Sequence, residues 1–169
     1  MYKRISGLRA AVLVWLTHSM ALPLLKLIRR PQKAVCTKEE LQQMPEDTLG
    51  RNLAIMLEKN KLELLPYYIK HDIKHILLGY STTAEGEVCL QCFMLGNGHI
   101  SFPVAATIGF GVLTMPEYWP LFYTAFKRGR RTASLKHWQW HSLLPQTTAS
   151  LIEKINTPRN HNHHQIYLL

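Results

Sequence analysis

The chain reads as an all-α single-domain helical bundle. Three observations predict it: apolar residues recur at helical rather than alternating spacing, no strand alternation is sustained, and several capping signals bracket the periodic segments. At 169 residues the chain is one domain of ordinary size and buries a core without disulfides. Only Cys36, Cys89 and Cys92 are present, an odd number without framework spacing, which points to a reducing compartment. The expected organisation is a basic apolar helix over residues 1–35, a metal-binding helical domain over 36–158, and a histidine-rich tail over 159–169.

The opening run LRAAVLVWLTHSMALPLLKLI is apolar but interrupted by Arg9, His18 and Lys26, and Pro23 would kink it. Only the 16 residues from Ala10 to Leu25 lack Lys and Arg, short of the roughly 20 needed to cross a bilayer. With Trp15 and its cations it fits the membrane interface; a core helix and a cleaved targeting segment are the alternatives. No acidic residue occurs from Met1 to Lys38, and a second basic cluster holds Lys127, Arg128, Arg130, Arg131 and Lys136. The formal net charge of +9 favours anionic surfaces and acidic ligands.

Thr37 followed by Glu40 is a capping box for a short helix that Pro45 ends. Leu49, Leu53, Met56 and Leu57 then share one helical face, and Asn60 stops that helix. The next helix should run from Pro66 to Leu78, with Gly79 as its stop and Ile69, Ile73, Ile76 and Tyr80 as its packing stripe. Thr82 with Glu85 suggests another capping box, and Gly96-Asn97-Gly98 should end that helix, returning it antiparallel beside its predecessor. Cys89 and Cys92 fall inside it and read as core residues, since no second pair completes a zinc knuckle. The stretch from Ser101 to Met115 is almost wholly apolar and reads first as a buried helix, with a lipid-lining wall as the alternative. EYWPLFYTAFKRGRR tolerates Pro120 in a first turn, and a last helix follows Pro145. The tail histidines read as solvated.

Chemistry concentrates in HDIKHILLGYSTTAEGE. On a helix, positions i and i+4 share a face and i+1 lies three from i+4, so His71, Asp72 and His75 can converge, with Glu87 supplied by the following helix. Two imidazoles and two carboxylates suit zinc, manganese, iron(II) or cobalt, and argue against calcium and copper(I). A zincin would carry Glu as general base beside the first histidine, where this chain has Asp72. A His-Asp phosphohydrolase would need an upstream histidine, and the sole candidate, His18, sits in the apolar opening segment.

With these residues in hand, the chain resembles the coenzyme Q biosynthesis protein four family. The family motif is His-Asp-x-x-His-x11-Glu, and eleven residues separate His75 from Glu87. The run FYTAFKRGRRTASLKHWQW matches the family's aromatic helix leading into Gly-Arg-Arg and a tryptophan, and MPEDTLGRNLAIML matches its Leu-Gly helix entry. The resemblance covers about Met44 to Ile155. It departs at LPYYIKHD, where relatives carry an arginine, and at MLGNG, where many end in a Gly-Leu-Pro turn.

The resemblance implies an all-helical, homodimeric, membrane-peripheral protein of ubiquinone biosynthesis. Its implied ligands are a polyprenyl lipid or quinone precursor, and its implied partners are the membrane surface and other quinone-biosynthesis proteins, with no nucleic acid. The implied place is the cytoplasmic face of a bacterial membrane or the matrix side of the mitochondrial inner membrane. His71, Asp72, His75 and Glu87 are the expected catalytic and metal-binding residues, with zinc the foremost cofactor. The implied reaction is decarboxylation, in oxidative or simple form, at ring C1 of a polyprenylated 4-hydroxybenzoate. A non-catalytic lipid-binding scaffold with a structural metal is the alternative.

Overall fold

A computed structural model describes residues 36–66 and 68–158; the N-terminal basic helix and the histidine-rich tail expected from the sequence lie outside these residues. Among the described residues seven α-helices follow one another: α1 (Lys38–Gln42), α2 (Leu49–Lys59), α3 (Ile69–Leu78), α4 (Ala84–Gly96), α5 (Phe102–Thr114), α6 (Trp119–Arg131) and α7 (Thr148–Asn156). Short 3-10 turns occupy Pro116–Tyr118 and Trp140–Leu143. Among the described residues there is no strand, only isolated bridges between Thr48 and Thr147 and between Thr132 and Pro158. The all-α expectation holds, and no described helix is long and apolar enough to cross a membrane.

Local signals set the helix ends. Thr37 and Glu40 form the reciprocal capping box, with Thr37 N–H donating to the Glu40 carboxylate at 2.8 Å. That helix stops at Gln42, before Pro45 is reached. Asn60 ends α2, and Gly79 ends α3 at φ 71°, a left-handed conformation that glycine adopts without strain. Several expectations need correction. The third helix starts at Ile69, not Pro66, with Tyr68 as a cap that makes no side-chain hydrogen bond. The cap of α4 is Thr83 rather than Thr82; its hydroxyl accepts from Gly86 N–H at 3.3 Å. No capping box with Glu85 forms, because Gly86 occupies the position that a reciprocating carboxylate would need, packed so closely that an added Cβ would lie 2.1 Å from the Ser81 carbonyl oxygen.

A further correction concerns packing. α4 was expected to lie antiparallel beside α3, yet its most extensive contacts are with α6 and then α5. Glycines decide this. A Cβ at Gly129 would sit 2.1 Å from the Phe93 carbonyl oxygen, and one at Gly96 would sit 2.2 Å from that of Phe126, so α4 and α6 approach backbone to backbone. Asn97, 5 % exposed, locks the crossing: its amide donates to the carbonyls of Gly129 and Ala133 at 3.2 and 3.0 Å and accepts from Leu135 N–H at 2.9 Å. Gly96 meets α6 at Phe126 while Phe93 meets it at Gly129 and Asn97 meets the chain just beyond, so the two helices cross near their C-terminal ends.

Two apolar cores result. The larger gathers Leu41, Leu49, Leu53, Ile73, Leu90 and Leu151 from α1 to α4 and α7. The smaller packs Val88, Cys89 and Cys92 of α4 against Met115, Phe122 and Ala125. The cysteines are core residues as expected: burial pushes the Cys89 thiol up to about 12 and the Cys92 thiol to about 11. α3 is enclosed on more sides than its predicted stripe, since Leu77 and Leu78 are buried beside Ile69 and Ile73 while Ile76 is only partly so. α5 is not the buried helix the sequence suggested. Only Val104 and Gly111 are buried along it, while Phe102 is 80 % and Leu113 84 % exposed. A helix that is apolar all round carries no polar face to say which side is inside.

Candidate metal centre

His71 and His75 lie one turn apart on α3, and Glu87 lies in the first turn of α4. The five-residue turn between the helices brings the three together. His75 Nε2 is 2.9 Å from Glu87 Oε1, His71 Nε2 is 3.2 Å from Glu87 Oε2, and the two Nε2 atoms are 3.1 Å apart. The donor atoms of all three residues fall within 4.8 Å of one another. Two imidazole nitrogens and a carboxylate oxygen aimed at one point are a fitting donor set for zinc and for the other divalent ions named above.

Asp72 does not join that group. It is buried at 8 % exposure beside His71, yet the converging donors are those of His71, His75 and Glu87 alone. Burial lifts its carboxyl to about 6, the charges of His71 and His75 pulling back and that of Glu87 adding to the rise. It therefore stands next to the cluster as a carboxyl that holds its proton more tightly than an exposed aspartate does.

The supporting contacts lie outside the motif. His75 Nδ1 is 3.0 Å from the Tyr80 carbonyl oxygen. A carbonyl only accepts, so Nδ1 carries a proton there and Nε2 is the nitrogen turned to the cluster, where it donates to the Glu87 carboxylate in the metal-free protein and is free to ligate a cation once it gives up that proton. Burial would push Glu87 up, but its hydrogen bonds with His71 and His75, and their charges, bring it down to about 2. Burial pulls His75 down, and its bond to Glu87 reverses this to a net rise. The side chain of His75 is 2 % exposed, those of His71 and Glu87 30 % and 23 %. The cluster is thus sealed behind His75 and open to solvent between His71 and Glu87. Tyr68 flanks that opening, its ring edge-on to His71 with centroids 6.0 Å apart.

Arg128 is the positioning residue that motif reading misses. Its guanidinium donates to the Leu78 carbonyl at 2.6 Å and lies over the rings of Tyr80 and Phe93 at 5.5 and 5.4 Å. It satisfies an open carbonyl at the end of α3 and places positive charge where the helix dipole is negative. The basic run of α6 is thereby tied to the helix that carries the histidines. The KRGRR pattern pointed to a cationic surface and gave no sign that one of its members turns inward.

Fold and site together define an all-α protein with a two-histidine, one-carboxylate cluster joining consecutive helices. No family model matches the chain, and no curated protein matches it significantly. Among solved structures it is similar to a candidate ubiquinone biosynthesis protein from Nostoc punctiforme, at 22 % identity over 90 % of this chain and 81 % of that one, with a TM-score of 0.58. At that identity the likeness establishes a shared fold.

Proposed function

We propose that the protein acts in ubiquinone biosynthesis as a member of the coenzyme Q biosynthesis protein four family. In this reading it removes the ring carboxylate of a polyprenylated 4-hydroxybenzoate at C1, using a divalent cation, zinc foremost. The convergence of His71, His75 and Glu87 carries the proposal. The motif interval and the shared fold with a candidate ubiquinone biosynthesis protein support it.

His71, His75 and Glu87 would hold the ion. When bound, it supplies Lewis-acid stabilisation to carboxylate and phenolate charge. The chain does the rest. The Tyr80 carbonyl fixes the His75 ring, and the burial of His75 excludes water from the back of the site. The opening between His71 and Glu87 admits the aromatic head. Val88, next to Glu87, packs against Gly111, which ties α5, whose exposed residues are apolar, to the helix that carries Glu87. Loss of carbon dioxide leaves an electron pair on the ring carbon that takes up one proton, and Asp72 is the buried carboxyl placed to pass it. In the oxidative form dioxygen is the co-reactant: one of its oxygen atoms would replace the carboxylate at C1, the other would leave as water, and the ring would be released at the quinone level together with carbon dioxide. The reading also carries a homodimer working with other enzymes of the pathway at a membrane.

Purified His75→Ala should lose bound metal and turnover while keeping its helical circular dichroism. Turnover by that variant at the parental rate rejects the reading. Native mass spectrometry with elemental analysis identifies ion and co-purified lipid together.

One observation favours a second reading. α3 and α4 pack little against each other directly, so an ion at the cluster would staple them, as a non-catalytic lipid-binding scaffold requires. Under it, His71→Ala lowers the melting temperature and weakens partner binding, and no metal supplied to the protein yields product.

A further inference from the structure

α6 ends beside α7, and the space between the two ends is an open groove of about 770 Å³. Lys127, Arg128, Arg130 and Arg131 line it from α6, Asn156 and Pro158 from the end of α7. An isolated bridge between Thr132 and Pro158 joins the two sides. Tyr123, Lys127, Arg130 and Arg131 recur at i, i+4, i+7 and i+8, so they share one face of α6, and all four are exposed. The Lys127 Nζ stands over the Tyr123 ring, 5.2 Å from its centroid, which puts an aromatic ring at one end of the row of cations.

Arg128 is committed to the fold through its bond to the Leu78 carbonyl. The other three cations make no ion pair among the described residues. From Val88 to Ile152 the chain holds five cations and one acid, Glu117. The nearest acid on α7, Glu153, stands three residues before Asn156 and does not line the groove. A helix dipole favours cations at this end of α6. It does not account for three of them along a groove whose far side offers the amide of Asn156 where a carboxylate would neutralise them.

We propose that this groove binds a soluble nucleoside diphosphate, with Lys127, Arg130 and Arg131 on the phosphates and Tyr123 against the base. The inference goes beyond the proposed function, because it needs neither the metal nor the aromatic acid. Charge selects the class of ligand. Three cations so close together are matched by the clustered oxygens of a diphosphate, whereas a single carboxylate would leave most of that charge unanswered. Each guanidinium also presents the fork that takes a phosphate through two parallel hydrogen bonds. Size agrees, since the groove falls within the roughly 300–1,000 Å³ of small-molecule sites. From Tyr123 to Arg131 the row runs about 12 Å along the axis, with an aromatic ring at one end and charge at the other, the same polarity as a nucleotide. Any base can stack on such a ring, because every base has a π-face.

The test titrates adenosine diphosphate into the full chain by calorimetry, with a chelator present so that no ion at the histidine cluster recruits phosphate. The parent should bind it, and should bind orthophosphate more weakly. Arg130→Gln with Arg131→Gln should weaken binding roughly thirtyfold with the melting temperature kept, since both side chains are exposed. Asn156→Asp, which puts a carboxylate on the far side of the groove, should weaken it about tenfold. Tyr123→Ala should weaken adenosine diphosphate about fivefold and change inorganic pyrophosphate little. Lys136→Gln, exposed and outside the groove, should change neither. Because metal is removed throughout, failure here and failure of the metal reading are separable. No binding by the parent, parental affinity in any of the first three variants, or a loss in Lys136→Gln as large as in the arginine pair would each overturn the proposal. So would oligouridylate or phosphatidylglycerol vesicles that displace adenosine diphosphate at a lower phosphate concentration than its own, which would make a nucleic acid or a lipid surface the occupant.

Discussion

His75 donates from Nδ1 to the carbonyl oxygen of Tyr80 at 3.0 Å, across the turn that joins α3 to α4. The residue that receives this bond lies just past the helix-ending Gly79, so the stop signal of α3 also sets the tautomer of its second histidine. With Nδ1 committed, Nε2 is the nitrogen that faces His71 and Glu87.

Zinc affinity reports that arrangement. His75→Ala should lower it by more than roughly a hundredfold, the upper end of what loss of an outer contact costs, and Glu87→Gln should lower it by a comparable factor. Isothermal titration with a competing chelator measures both. Helical circular dichroism should be retained.

The pH dependence of the metal-free protein follows from Glu87. Its carboxyl sits at about 2 in the folded chain against an ordinary 4.5, so the folded state binds that proton more weakly than the unfolded chain. The stabilisation is fully present above pH 4.5 and disappears as the pH falls towards 2. It amounts to about 3 kcal/mol at most. Urea unfolding of the parent and of Glu87→Gln between pH 2 and 6 should converge at the acid end.

Asp72 has the opposite sign. Raised to about 6 from 3.8, it favours the folded state below pH 3.8 and becomes a liability as the pH climbs through 6. Asp72→Asn should therefore stabilise the metal-free protein at pH 7 by about 1–3 kcal/mol. Its zinc affinity should fall less than that of His75→Ala, because Asp72 stands outside the converging three. Thermal melts and metal titration on one preparation measure both.

Gly129→Ala should cost about 2–3 kcal/mol, because the new methyl meets the Phe93 carbonyl and not a yielding side chain. The loss should appear as a lower denaturation midpoint with an unchanged slope. Arg128→Met should cost about 1–3 kcal/mol by leaving the Leu78 carbonyl without its charged donor, seen as a drop in melting temperature.

What the residues alone specified was local. A capping threonine, a stop glycine and two histidines four apart act within one or two helical turns, where a 3.6-residue period suffices to place side chains. The same logic put Glu87 near the start of α4 and Cys89 and Cys92 in a core. The partners of each helix were settled only in three dimensions. Gly96 and Gly129 meet across more than thirty residues of chain, and their missing side chains draw α4 onto α6 and away from α3. That placement turns Arg128 inward and leaves one side of α5 bare. A period can say which residues share a face, but what that face meets depends on how closely two backbones are allowed to approach.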